Sequence, residues 1–226
     1  YIQNVNGINF IQQSRGVNSQ NRMQQGLEIF KFNGSAQPSR KAENIDSLIE
    51  NSIKDGSLDK ILEETIPDSG YRAKVLEILN PANENIVCIP DDNDPGAAQW
   101  DKESGRIVIN TSSKSEVNGF PRKNWDSTPA GEKLKLLIHE AMHGAQNSSF
   151  NTQEEEMLCE MTAIKTAAIL AREKNLPDVP LYPPSYTLQT LGAMNEEELK
   201  KVFVSKFISN GYQNRRNDET RAVKLT

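Results

Sequence analysis

Two histidines stand four residues apart in this chain, at His139 and His143, and Glu140 follows the first of them. On a helix, side chains four positions apart project from the same face, so both imidazoles can reach one metal ion. Zinc held in this way lowers the pKa of a bound water toward about 7, and a neighbouring carboxylate can accept the proton as the water attacks a carbonyl. The spacing therefore predicts a zinc site with Glu140 as the general base.

The histidine count argues against a chance arrangement. The 226-residue chain holds 2 histidines, and both lie in this motif. Two histidines placed at random would take this spacing, with a glutamate after the first, in about one such chain in a thousand. Apolar residues also recur along one side of the same stretch, which predicts a helix packed beside a sheet. They are Leu134, Leu137, Ile138, Ala141 and Ala145.

A catalytic zinc ion needs a third protein ligand and an open position for water. The chain has no third histidine to offer. Asn147 and Ser149 occupy the downstream positions where some zinc proteases place an aspartate. The remaining candidates are glutamates near the start of the next predicted helix.

Two of these glutamates are predicted to lie level with the histidines along the helix axis. A helical hairpin that turns near Phe150 would bring Glu156 level with His143. The same hairpin would bring Glu160 level with His139, on the same face and four residues on. Either glutamate could be the third ligand, with the other as a hydrogen-bond partner of a ligand histidine.

The other residues of this acidic run are given ordinary roles. Glu154 and Glu155 are predicted to be a solvated charge run. Cys159 is predicted to lie in the core and not to bind the metal. We expect Cys88 and Cys159 to be two reduced thiols instead of one disulfide.

The attacked carbonyl becomes an oxyanion, which a side chain opposite the metal can stabilise. Tyr182 and Tyr186 are the first candidates, because they lie in a proline-rich segment that could fold back over the metal. Tyr212 and Arg215 are the others. A packing or surface role is the alternative for each of them.

Composition limits the class of protein. The net charge of -5 gives no basic footprint for nucleic acid, and no apolar run approaches the roughly 18 residues of a membrane span. We expect a polar N-terminal extension over residues 1–42, with a short strand at 27–32. One domain is expected over residues 43–215, followed by a charged tail over 216–226.

Periodicity predicts an α+β fold. Helices are predicted at residues 45–62 with an interruption at Gly56, and at 71–79, 129–147, 152–174 and 195–210. Strands are predicted at 85–90 and 105–111, a polar loop at 112–129 and an irregular segment at 176–186. We expect a small sheet packed on the helix of the two histidines, with a following helix that supplies the third ligand.

The chain resembles the gluzincins, the HExxH zinc metalloproteases whose third ligand is a glutamate. The resemblance lies in the stretches LLIHEAMHGAQN, EEEMLCE and AREKNLPDVPLYPPSY. Within the gluzincins the chain looks most like small bacterial effector metalloproteases that secretion systems deliver, including those that cleave host MAP kinases. The resemblance implies a zincin-like fold with Glu156 as the third ligand. It also implies that Glu160 hydrogen-bonds a ligand histidine.

The same resemblance implies a substrate site. In zincins an edge strand beside the active-site helix binds the substrate as an added strand. The strand at 105–111 suits that role, and it suits an internal strand equally. Gly144-Ala145 is a departure, since bulkier residues are common after the motif in the family.

We therefore expect a zinc-dependent endopeptidase that hydrolyses a peptide bond in a protein substrate. The resemblance implies secretion or translocation into a host cell. Two alternatives stay open: an interaction protein that keeps zinc for structure alone, and a zinc hydrolase of a non-protein amide or a cell-wall peptide. The pattern does not specify an oligomeric state.

Overall fold

The computed structural model describes residues 40–94, 96–122, 124–146, 153–181 and 186–209. Within these ranges the chain is α+β, as predicted. The helices are α1 (Arg40–Lys54), α2 (Ser57–Glu63), α3 (Ser69–Leu79), α4 (Ala130–Gln146), α5 (Gln153–Glu173), α6 (Leu188–Ala193) and α7 (Glu196–Ser209). The strands are β1 (Ile86–Ile89), β2 (Ala98–Asp101), β3 (Arg106–Asn110), β4 (Glu116–Val117), β5 (Phe120–Pro121), β6 (Pro180–Leu181) and β7 (Tyr186–Thr187). The predicted strand at 27–32 and the tail at 216–226 lie outside the described residues.

The main sheet has three strands in the order β1-β3-β2. β3 runs parallel to β1 and antiparallel to β2, with Ile107 opposite both Ile86 and Trp100. The predicted strand at 105–111 is therefore the internal strand, and of the two roles left open for it the edge role is wrong. β2 takes that edge, beside α4.

The two histidines lie on α4, which is buried between the sheet and other helices. α4 contacts β2 and β3 on one side and α3 and α5 on the others. Its predicted apolar stripe is buried, with Leu134, Leu137, Ile138 and Ala141 at 0% exposure. The burial of this stripe holds the helix in place, since each buried aliphatic side chain contributes roughly 1.5–3 kcal/mol.

The helices agree closely with the predictions. Residues 129–147 and 152–174 were predicted where α4 and α5 are found, and the break at Gly56 separates α1 from α2. Gly56 has a φ of 74°, a left-handed conformation that glycine adopts without strain. At the start of α7, the side chain of Asn195 accepts a hydrogen bond of 2.9 Å from the N–H of Glu198, and the side chain of Glu198 accepts one of 3.1 Å from the N–H of Asn195, which is the predicted capping box.

Several small elements were not predicted. The polar loop at 112–129 contains the hairpin of β4 and β5, and the segment at 176–186 contributes to the hairpin of β6 and β7. β2 (Ala98–Asp101) and the short helix α6 (Leu188–Ala193) were also missed. These elements are two to six residues long, which is too short for a periodic pattern to emerge.

Candidate metal centre

Three side chains from two helices meet at one point. The Nε2 atoms of His139 and His143, one turn apart on α4, lie 3.0 Å from each other. Oε2 of Glu156, from the first turn of α5, lies 3.5 Å from the Nε2 of His139 and 3.7 Å from that of His143. These three donor atoms could hold a metal ion.

The spacing of the donors fits a zinc-sized ion. Zinc binds imidazole nitrogen and carboxylate oxygen at about 2.0–2.2 Å, so two donors of a tetrahedral site lie about 3.3–3.6 Å apart. The three observed separations, 3.0, 3.5 and 3.7 Å, lie close to this range. Three protein donors leave a fourth position open, which distinguishes catalytic zinc sites from closed structural ones.

A carboxylate lies behind each imidazole. Oε1 of Glu155 is 3.0 Å from the Nδ1 of His143 and hydrogen-bonds it. Oε2 of Glu160 is 3.0 Å from the Nδ1 of His139, at ion-pair distance, although the N–H is not well aligned on the oxygen. A carboxylate at Nδ1 turns the Nε2 lone pair toward a metal and makes the ring a better ligand. The structure thus brings Glu156 to the donor cluster and Glu160 behind it.

Glu155 does not belong to a solvated charge run, and that prediction is wrong. Its exposure is 1%, whereas Glu154 is exposed as predicted. The sequence did indicate that Glu155 is buried, because it lies four residues before Cys159, a predicted core residue, and shares its helix face. Cys159 was predicted to be in the core and is fully buried there. Cys88 and Cys159 are both free thiols, as predicted.

Lys135 completes the cluster and was not predicted. Its Nζ lies 2.9 and 3.0 Å from the two carboxylate oxygens of Glu160, and both side chains are buried. Together with Glu155 and Glu156, these groups carry three negative charges and one positive charge. Protons on the two imidazoles or a bound divalent cation would offset the excess negative charge of these carboxylates, which is costly to bury.

The pKa values reflect the same crowding. Burial alone would lower the pKa of His139, but the carboxylates of Glu156 and Glu160 raise it above its usual range. Burial likewise opposes the rise in the pKa of His143, which contacts with Cys159 and the adjacent carboxylates hold well above its usual range. Burial would raise the pKa of Glu156, but the two imidazoles hold it well below its usual range. Below these raised pKa values, a cation that binds here displaces protons from the imidazoles.

Glu140 lies beside the cluster and contacts the sheet. Its Oε2 accepts a hydrogen bond of 2.6 Å from the backbone N–H of Trp100 in β2. The carboxylate is half-buried, so water can reach it. The glutamate between the two histidines is thus held at the edge of the sheet, as a group that could move a proton.

Gly144 allows the sheet to approach α4 this closely. A Cβ atom at this position would lie 2.8 Å from two atoms of the Trp100 ring and 2.8 Å from Cδ1 of Ile78. Such distances are well inside van der Waals contact, so only glycine fits here without a shift. The departure at Gly144 therefore has a packing reason.

Of the predicted oxyanion residues, the structure describes only Tyr186. It is half-buried in β7, where it pairs with Leu181, and β7 contacts α6. Its role at the metal stays a prediction. Tyr182, Tyr212 and Arg215 lie outside the described residues.

Comparisons with known proteins gave no relatives. No family model matches the chain, and neither the curated proteins nor the solved structures include a significant match. Among the described helices, none has the length and apolar character needed to cross a membrane. The candidate metal centre is therefore the feature of the chain that points to a function.

Proposed function

We propose that this chain is a zinc-dependent peptidase with a zincin-like site. The observation that carries the proposal is the convergence of His139, His143 and Glu156 on one point, with a carboxylate behind each imidazole. Two imidazoles and one carboxylate suit zinc better than magnesium or calcium, which prefer oxygen ligands alone. When bound, zinc acts as a Lewis acid that polarises a carbonyl and acidifies water.

Glu140 is the proposed general base. Its neighbours His139 and His143 direct their nitrogens to the donor cluster, while its own carboxylate turns to the edge strand. The hydrogen bond from Trp100 fixes one carboxylate oxygen, which leaves the other to take a proton from water and pass it to the leaving amine. This arrangement would hold the base in place before substrate arrives, so little reorganisation is needed during the reaction.

The outer backbone edge of β2 is a feature that favours a polypeptide substrate. The N–H of Asn110 donates to the carbonyl of Ala97, so in this antiparallel register the backbone groups of Gln99 also face β3. Those of Ala98 and Trp100 face away from β3, and the N–H of Trp100 is donated to Glu140. An extended peptide could pair with the other outward-facing backbone groups of β2 as an added strand. This feature favours a peptide over a non-protein amide.

The finer assignment rests on the resemblance to the gluzincins. We propose, on that resemblance, a protease of the bacterial effector kind, which would act on a host signalling protein. Both the delivery and the host substrate are proposals that need a cellular test.

The experiment combines metal content with peptide cleavage. The parent chain should bind one zinc ion, and His143→Ala should bind none, because two donors remain where three are needed. Glu140→Gln should fold and keep its zinc, while cleavage of an unfolded-protein mixture falls by about 10²–10⁴-fold. Glu154→Gln is the matched control, since this exposed glutamate lies outside the cluster.

The outcomes separate the alternatives. Stoichiometric zinc in His143→Ala would refute the metal centre. Cleavage at the parental rate by zinc-loaded Glu140→Gln would refute the proposed base. A parent chain that binds one zinc ion and cleaves no peptide in a diverse library would instead support a structural zinc site.

A further inference from the structure

A buried lysine holds one of the two glutamates that could bind the metal. Lys135 and Glu160 have side chains that are 9% and 7% exposed, and Nζ contacts both carboxylate oxygens. Lysine is among the residues least often buried, and it is buried almost only with a partner. Lys135 also lies four residues before His139, so the two share one face of α4.

We propose that Lys135 is a positioning residue that assigns the roles of the two glutamates. It holds Glu160 behind His139 and keeps that carboxylate away from the metal, which leaves Glu156 as the carboxylate ligand. This inference rests on the proposed metal centre and deepens it.

Glu160 is held on the side of His139 that faces away from the donor cluster. Its Oε2 lies 3.0 Å from Nζ of Lys135 and also 3.0 Å from Nδ1 of His139. Nδ1 and Nε2 are on opposite sides of the imidazole ring, and the donor cluster lies on the Nε2 side. To bind the ion, Glu160 would have to leave both contacts, and separating a buried ion pair is strongly unfavourable.

Glu156 has the opposite environment. Its Oε2 faces the Nε2 atoms of both His139 and His143, at 3.5 and 3.7 Å. Glu156 and Glu160 are four residues apart on α5, so they lie on one face and both are within reach of the donor cluster. The sequence spacing alone does not distinguish them. The position of Lys135 does.

A purely structural lysine makes a different prediction. If Lys135 served only to neutralise Glu160, its removal would change zinc affinity by the same factor whether or not the Glu156 carboxylate is present. If Lys135 keeps Glu160 from the metal, its removal should allow Glu160 to replace a missing ligand. A chain that lacks the Glu156 carboxylate tests this difference.

The experiment measures zinc affinity by competition with a chromophoric chelator. Glu156→Gln should lose zinc more severely than Glu160→Gln, whose loss should be about 10–100-fold, as for other partners of ligand histidines. Adding Lys135→Met to Glu156→Gln should restore affinity on the order of tenfold, because the freed Glu160 can bind the ion. Adding Lys135→Arg, which keeps the charge, should restore nothing.

Thermal unfolding of each variant shows which of them fold. If the Lys135→Met chains do not fold, the comparison of Glu156→Gln with Glu160→Gln decides, and a greater zinc loss in Glu160→Gln overturns the proposal. If they fold, Lys135→Met should raise zinc affinity more in the Glu156→Gln background than in the parent, and an equal effect in the two backgrounds overturns the proposal. A parent chain without stoichiometric zinc would refute the proposed function and this inference together, whereas a zinc-loaded parent with an equal effect in the two backgrounds refutes the inference alone.

Discussion

Replacing Gly144 with alanine tests how the sheet is fitted to α4. The new Cβ would lie 2.8 Å from the Trp100 ring and from the end of the Ile78 side chain. Ile78 can turn its terminal methyl away. The indole of Trp100 has less freedom, because β2 pairs with β3 on one side and the backbone N–H of Trp100 donates to Glu140 on the other.

The size of the effect follows from two opposed terms. Overpacking a core contact costs about 1–3 kcal/mol, and alanine stabilises a helix interior by about 1 kcal/mol relative to glycine. Because the ring of Trp100 is held on both sides, we expect a net loss of roughly 1–2 kcal/mol in the free energy of unfolding. For a chain of this size that loss lowers Tm by about 2–8 °C.

Thermal and urea unfolding of Gly144→Ala beside the parent would measure this loss. Gly70→Ala is the matched control, since the nearest atom to its new Cβ would be Oδ1 of Asp68, at 3.4 Å. The control should unfold at the parental temperature or slightly above. If Gly144→Ala gains stability as the control does, Trp100 does not pack on α4 as described, and its hold on Glu140 must be reconsidered.

Three further outcomes are expected. Glu155→Gln should weaken zinc binding by about 10–100-fold in chelator competition, against no change for Glu154→Gln. Zinc affinity should fall as the pH is lowered, because the raised pKa values of His139 and His143 mean that protons compete with the ion from above the usual value of 6.5. For the zinc-free chain, lowering the pH should instead increase the free energy of unfolding. The raised pKa values of the two histidines stabilise the fold below pH 6.5, and urea unfolding should show this stability lost as the pH rises through the raised values.

The donor cluster could be predicted because its residues are rare or regularly spaced. His139 and His143 are the only histidines of the chain, and a hairpin of two helices was enough to bring Glu156 to them. Glu155 and Lys135 were missed because burial was judged residue by residue. A charged side chain in the core is explained only by its partner, and that partner comes from another helix.

The fold was predictable where elements are long. α4 and α5 are 17 and 21 residues long, and helices of several turns are the elements that a sequence indicates best. β2 was missed because Ala98–Asp101 (AQWD) has no β-branched residue and is half-buried throughout. Its contribution to the site is a backbone N–H, at Trp100, which no side-chain pattern can indicate.

The burial of α4 on nearly all sides has a consequence for how its sequence can vary. Most of its positions are enclosed, including the charged residues Glu132, Lys133 and Lys135. In a saturation mutagenesis screen that scores survival of function, almost every substitution along this helix should be deleterious, so the proposed metal-binding and catalytic residues would not stand out from the residues that pack around them. Only replacements that keep the shape of a side chain and remove its chemistry should leave the abundance of the folded chain unchanged. Glu140→Gln would be separable from the rest of the helix when abundance and activity are scored apart.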